Sequence, residues 1–525
     1  MDRQLYDLPC DEVSARDDAP MTRVMYATWK TRADLQKAFD LGRPEGRRGF
    51  IRWFARAAQR EMGVPERHLE PARGALTALS AYDARDAAEE QWGSAAGPVR
   101  RAAALCLDAI NWSCRFRLAL RVYAWVPEAT RTRVRRRLER IAGRPEAIPA
   151  SSPHGGAGIN LVGYAHGEFG VAEVLRRFAH ALRGGGVPFV VRNFDTGSAS
   201  RLGDRSMQRF LSADCRYDVN LFCINADMMP IARRQLGDAV FAGRYNIGCW
   251  FWELEKFPAQ WHGALDTVDE IWAASPFVRD AIAACTDKPV HLVPIALDAQ
   301  LPERWSRGEF GLAEGVFLCL YSFDFNSFVV RKNAQGAIAA FRRAFDDGRR
   351  DVRLVIKTTN GERFPDALHG LMEAAAGDDR IEIRDGYLDR RRMWALQACC
   401  DCYVSLHRAE GLGLGMAECM LLGKPVVATA YSGNLAFMDA DNSCLVDYTL
   451  IPVKEGEYPA WEGQHWAEPD IDQAAAYLRR LADDPIYARQ VGDNAKASVS
   501  RTLSAAASVA AMTKRLAEIR SQRHR

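Results

Sequence analysis

The chain has 525 residues, 48% of them hydrophobic, with 70 Lys and Arg against 67 Asp and Glu and a formal net charge of +3. That length exceeds a single core and calls for two or three domains, while so small a net charge gives no electrostatic case for nucleic acid. Thirteen cysteines, an odd number without disulfide-like spacing, fit free thiols in a reducing, cytoplasmic compartment.

The first 150 residues read as helical and hold no chemical motif. Helix-like apolar spacing covers 33–41 and 49–56, and a longer amphipathic run covers 99–126. Asp108, Arg115, Arg117 and Arg121 interrupt that run and exclude an ordinary transmembrane helix, and the polar first residues show no secretory signal. Residues 131–138 form a basic helix face, so peripheral contact with the inner face of a membrane, or with a lipid-linked acceptor, is an expectation for this region. Pro145, Pro149, Pro153 and a run of Ser and Gly to Gly158 mark a linker.

From residue 159 the pattern alternates. Strands are expected at 159–164, 188–192, 219–224, 245–250, 270–274 and 290–293, with a helix at 173–182. A second series begins at 317–321 and continues at 353–357, 381–383, 403–406 and 425–428. Strands alternating with helices predict an α/β fold with parallel, doubly wound sheets, whose ligands bind beyond the C-terminal strand ends. The expected domains are a helical extension at 1–150, a Rossmann-like domain at 157–305 and a second at 306–525, with the last helix packing back on the N-terminal half.

The most informative stretch is 407–418, His-Arg-Ala-Glu-Gly-Leu-Gly-Leu-Gly-Met-Ala-Glu, between a short apolar strand and a helix closed by Gly423. The glycines let a ligand approach the backbone, and the helix N-terminus offers unpaired N–H groups to an anion. Two carboxylates beside a phosphate site repel it unless they grip something else, and sugar hydroxyls are the natural partners. Glu410, Glu418 and this spacing resemble the E-x7-E motif of retaining glycosyltransferases of the GT4 type, which have the GT-B fold of two Rossmann-like domains facing a cleft. The Lys-Pro-Val-Val-Ala-Thr strand at 424–429 and Ser432-Gly433-Asn434 extend the likeness, which covers about 158–500 and is similar to bacterial polysaccharide mannosyltransferase-like members.

The resemblance implies that Glu410 contacts the donor hexose and Glu418 the ribose, with Gly411, Gly413, Leu414 and Gly415 at the diphosphate. It places Lys332 on the leaving diphosphate. The usual Arg several residues earlier is replaced by Asn326, and Arg331 is the substitute, its planar fork suiting phosphate oxygens. Gly170, in the turn 167–170, is expected near the donor, and Gly386 with Tyr387 on the base side. Where many relatives carry a histidine, this chain has Trp250-Phe251-Trp252-Glu253. Trp250 and Trp252 are read as sugar-stacking faces and Glu253 as a catalytic carboxylate. His166 and His407, beside the two glycine turns, are read as sugar or acceptor contacts, with a structural role open for each. Cys399, Cys400 and Cys402 read as buried structural thiols, and Asp439-Ala440-Asp441 as a solvent turn, so no metal and no cofactor is expected.

The function these expectations add up to is retaining, metal-independent hexosyl transfer from a nucleotide-sugar to a glycan or lipid-linked glycan in bacterial surface polysaccharide synthesis. GDP-mannose is favoured over a UDP-hexose as donor. Two alternatives stay open: a catalytically silent binding subunit of a polysaccharide assembly complex, and another enzyme of the same fold, such as a sugar-nucleotide epimerase.

Overall fold

The computed structural model describes residues 158–523, apart from 197–200, 300 and 303, together with scattered positions between 25 and 54. The expected helices at 99–126 and 131–138, and the linker before Gly158, lie outside the described residues. The chain divides into two compact units, 1–101 and 102–525. In the first, helix α1 (Ala33–Ala38) stands beside a small aromatic cluster. Phe50 meets Trp53 and Phe39 at ring distances of 5.7 Å, and Trp29 donates its indole N–H to the Phe39 carbonyl at 2.8 Å.

The second unit holds two six-stranded parallel sheets. The first comprises β1 (Ile159–Gly163), β2 (Phe189–Asn193), β3 (Val219–Cys223), β4 (Tyr245–Cys249), β5 (Glu270–Ala273) and β6 (Val290–Leu292), in the order β2-β1-β3-β4-β5-β6. Its central strands are apolar on both faces because helices cover both, as parallel pairing requires. The exceptions satisfy one another. Asn160 donates to Asn220, and Asn220 to Asn246, each at 2.8 Å, forming a buried amide ladder across β1, β3 and β4.

The second sheet comprises β7 (Phe317–Asp324), β8 (Val352–Thr359), β9 (Ile381–Asp385), β10 (Cys402–Ser405), β11 (Val426–Thr429) and β12 (Cys444–Val446), in the order β12-β11-β10-β7-β8-β9. Strand order reverses between β7 and β10, so the segments leaving these two strands open a crevice at the switch point.

Helix α2 (Gly170–Gly184) follows β1 and buries Val174, Leu175, Phe178 and Leu182 against the first sheet. After β7 come a single helical turn, α3 (Val329–Lys332), and α4 (Ala334–Ala344). Helix α5 (Arg390–Cys399) follows β9, and α6 (Leu414–Leu421) follows β10. The last helix, α7 (Ala505–Arg523), packs against α2 of the first half. Arg515 pairs with buried Glu270 at 2.7 Å and Arg520 donates to the Gly158 carbonyl at 2.9 Å.

Not anticipated from the sequence is an antiparallel hairpin, β13 (Tyr448–Pro452) and β14 (His465–Pro469). Its connecting loop reaches the first half. Lys256 donates its ammonium to the Gly463 carbonyl at 3.0 Å, and Gln464 bonds both backbone groups of Lys256. Among the described residues no helix is long and apolar enough to cross a membrane.

Candidate active site

Helix α3 is held between two residues of positive φ, Phe328 (φ 62°) and Asn333 (φ 50°), neither of them glycine. Such backbone costs on the order of 1–3 kcal/mol per residue and persists only where the surroundings over-determine it. Asn333 shows how. Its amide donates to the Leu406 carbonyl at 2.8 Å, and its oxygen caps α4 by accepting from Gly336. Tyr321 donates to the Lys332 carbonyl at 2.5 Å. The side chains of Arg331 and Lys332 are thereby aimed at the end of β10.

There they meet Glu410. Lys332 Nζ lies 2.5 Å from Oε1 and Arg331 Nη1 lies 3.2 Å from Oε2, and Arg331 also donates to the Ala409 carbonyl at 2.6 Å. Burial alone would raise the Glu410 carboxyl, but Lys332, Arg331 and His407 outweigh it and hold it down at about 2. The same burial lowers Lys332, opposed by Glu410. Arg331 Nε is buried with no hydrogen-bond partner among the described residues.

The turn that carries Glu410 is pinned from β11. Its N–H donates to Ser432 Oγ at 2.8 Å, its carbonyl accepts from Gly433 at 2.9 Å, and a Cβ on Gly433 would lie 2.2 Å from the Gly411 carbonyl oxygen. Ser432 takes φ 80° to make this approach. Gly413 enters α6 at φ 91°, where L side chains are strained, and a Cβ on Gly415 would meet the Tyr403 hydroxyl at 2.7 Å. Among the described residues no acceptor takes the backbone N–H of Leu414 or Gly415. An open helix N-terminus therefore stands beside two cations at the switch point.

The first half closes over this turn. Ser275, at the end of β5, donates to the Gly411 carbonyl at 2.7 Å. Glu253, beyond the end of β4, accepts from the Tyr458 hydroxyl at 2.5 Å, and its Oε1 lies 3.7 Å from where a Cβ of Gly411 would stand. Tyr458 comes from the hairpin loop, packs on Phe328 at 4.7 Å, and lies 5.8 Å from the Arg331 guanidinium. Nothing in the sequence marks it, because it reaches Glu253 from 205 residues away.

Several expected contacts stand elsewhere. Trp250 and Trp252 are core residues, not sugar faces: they are 0% and 1% exposed, and Trp252 lies among Trp261, Phe257 and Tyr458 and donates to the Lys256 carbonyl. Past the end of β4 burial alternates, so Trp250, Trp252 and Leu254 point inward while Phe251 and Glu253 stay partly exposed. His407 is wholly buried, with Nδ1 on Ser405 and Nε2 near the Tyr431 carbonyl and Asn434, a structural tie and not a ligand contact. His166 lies 3.7 Å from Asp195, and its Nε2 has no partner among the described residues.

Gly170 begins α2 with no heavy atom within 4 Å of a would-be Cβ, which leaves that backbone approachable. Gly386 (φ 140°) gives its carbonyl to Lys357, a buried lysine that sequence reading missed; burial lowers its ammonium to about 8, and the nearby Asp385 and Asp324 only partly offset this. Tyr387 is 47% exposed under the Arg201 guanidinium at 4.3 Å. Cys399, Cys400 and Cys402 are buried and free, and Asp439 caps the turn over Asp441 and Asn442.

Glu418 departs furthest from expectation. It is buried, and Arg177 of α2, Arg390 of α5 and Gln397 all donate to it, Arg177 at 2.6 Å and Gln397 at 2.9 Å.

Two parallel Rossmann-like sheets meeting at their C-terminal edges define the GT-B fold. Residues 322–498 match the family model described as glycosyl transferases group 1. Three solved structures share the architecture. Sucrose-phosphate synthase from Thermosynechococcus elongatus aligns at 15% identity over 70% of this chain and 100% of its own, with TM-score 0.52. Anabaena HepE, in complex with UDP and glucose, aligns at 15% identity over the same shares, with TM-score 0.51. A glycosyltransferase from Rickettsia africae aligns at 13% identity over 70% of this chain and 99% of its own, with TM-score 0.50. At these identities the likeness is one of fold. The search of curated protein sequences returned no match.

Proposed function

We propose that the protein is a retaining glycosyltransferase that moves a hexose from a nucleoside-diphosphate sugar to a glycan or lipid-linked glycan hydroxyl. The observation that carries this reading is Glu410, held ionised between Lys332 and Arg331 beside the open N-terminus of α6. A carboxylate so held accepts hydroxyl hydrogen bonds from the hexose, while the cations and N–H groups face the diphosphate. As the anomeric C–O bond to the diphosphate breaks, the charge gathering on the leaving oxygen is met by Lys332, Arg331 and the helix end. That oxygen takes the proton of the acceptor hydroxyl as the new glycosidic bond forms on the same face.

Glu253, oriented by Tyr458, stands on the opposite wall and accepts from a hydroxyl of the reacting sugar or acceptor. Positioning of this kind lowers the barrier without covalent chemistry by the protein. The domains assigned to this work are 157–305 for the acceptor and 306–525 for the donor, and the setting is bacterial surface polysaccharide synthesis. GDP-mannose remains the favoured donor, on the likeness of 432–469 to mannosyltransferase-like sequences. A thermal-shift screen against UDP-, GDP- and dTDP-sugars, followed by donor turnover with the ligand found, tests the reading. Absence of any nucleotide-sugar response would sink it.

A further inference from the structure

The second carboxylate of the motif sits in a ring of charge that crosses the molecule. Glu173 Oε1 lies 3.0 Å from Arg177 Nε, and Arg177 Nη2 lies 2.6 Å from Glu418 Oε1. Arg390 Nη2 binds the same Glu418 oxygen, and its Nε returns to Glu173 Oε1 at 3.4 Å. Glu173 and Arg177 belong to α2 of the first half, and Arg390 and Glu418 to the second. Arg177 is further fixed by donating to the Ala296 carbonyl at 3.2 Å, and the neighbouring Arg176 ties Glu173 to the Gly167 carbonyl. Glu418 and Arg177 are both buried, so neither side chain has another place to go.

From this geometry we infer that Arg177 is a positioning residue for the nucleotide. It locks the carboxylate assigned to the ribose, and because it comes from the opposite half, the grip on ribose exists only when the halves are together. The inference rests on the donor-site reading above and goes further in naming how the ribose is read. Oε1 of Glu418 is filled by the two guanidinium groups. Oε2 already accepts from Gln397, which leaves it one lone pair. Glu418 therefore serves one ribose hydroxyl, not two. The alternating signs of the ring balance its four charges, which makes burying them tolerable and also makes each member dependent on the other three. An unlocked Glu418 would turn toward whichever cation remained and lose that single acceptor direction.

The test is calorimetric titration of the full chain with UDP and GDP, each as the ribo, 2′-deoxy and 3′-deoxy form. For the base that binds, the wild type is expected to lose about tenfold or more in affinity for one deoxy form and little for the other. Arg177→Met should weaken the ribo form to the level of the sensitive deoxy form and abolish the discrimination. Arg177→Lys keeps the charge for folding but cannot span Glu173 and Glu418 together, and it should lose the same discrimination. A general structural defect would lower all three forms alike. Wild-type discrimination in either folded variant overturns the inference, as does tighter ribo binding by Arg177→Met, which would make Arg177 a competitor of the ribose. Wild type that binds neither nucleotide in any form, and no dTDP-sugar either, would overturn the proposed function itself.

Discussion

Glu410 on the glycine turn and Glu418 in α6 have seven residues between them, and each is paired with two cations, but the cations come from different places. Those of Glu410, Lys332 and Arg331, lie in its own half on the neighbouring strand's exit. Glu418 takes one from its own half and one from the opposite half. The first arrangement is complete in one sheet and ready for a diphosphate whether or not the halves meet. The second exists only when they do. The pair thus divides the work. One carboxylate is preset, and the other reports closure.

The comparison breaks most visibly at Glu410. Glu410→Gln leaves buried Arg331 and half-buried Lys332 without their counter-charge, and removing one partner of a buried pair costs on the order of 3–5 kcal/mol. Urea denaturation should show that loss, and turnover should fall with it. A variant as stable as wild type would mean the cations are better solvated than their burial implies. Acid sharpens the same point. The Glu410 and Glu173 carboxyls are both held at about 2, against an ordinary 4.5. Groups lowered in the folded state contribute stability that is full above the unfolded value and is lost as pH falls toward the folded one. Stability should therefore decline between about pH 4.5 and 2, by on the order of 3 kcal/mol for Glu410, and Glu410→Gln should flatten that slope in a melting series.

How much of this was legible beforehand follows the same division. Lys332, Arg331 and Glu410 are joined by strand ends of one sheet, so chain order and the glycine turn suffice to bring them together. Arg177 and Tyr458 reach their partners from 241 and 205 residues away. No local pattern encodes those meetings. The strands of both sheets read correctly from their apolar runs except β12, whose three residues at the sheet edge are too short to show one. The hairpin β13–β14 did not, because β13 is largely exposed and the buried residues of β14, Trp466, Ala467 and Pro469, do not alternate. Trp250 and Trp252 misled for a physical reason: an indole at a strand end is equally good at stacking on sugar and at filling a corner, and the alternation past β4 puts both on the inward side.

Glu253 and Tyr458 supply a smaller test, since they join the halves with no hydrogen bond or ion pair to the cations. Glu253→Gln should lower turnover by about a hundredfold with nucleotide affinity near wild type, because the diphosphate is held from the second half. Tyr458→Phe removes only the hydroxyl that orients Glu253, and about tenfold is expected. Equal turnover in Glu253→Gln would take this carboxylate out of the site, and an isolable glycosyl adduct on it would replace the proposed route with a covalent one.

The smallest expected effect is that of a chelator. Lys332, Arg331 and Glu410 together carry a net charge of +1, and the end of α6 adds roughly half a unit more. Cleavage of the anomeric C–O bond adds about one negative charge to the diphosphate, so the protein's own groups match what develops in the transition state. They act in a largely buried setting, where such charges are weakly screened. Turnover should accordingly be unchanged after EDTA and dialysis, in the same buffer and at the same donor concentration. Activity lost to the chelator and restored by Mg²⁺ or Mn²⁺ would show that the preset cluster at Glu410 is not sufficient for the leaving group, and the division of work between the two glutamates would then need a third, metal-borne charge.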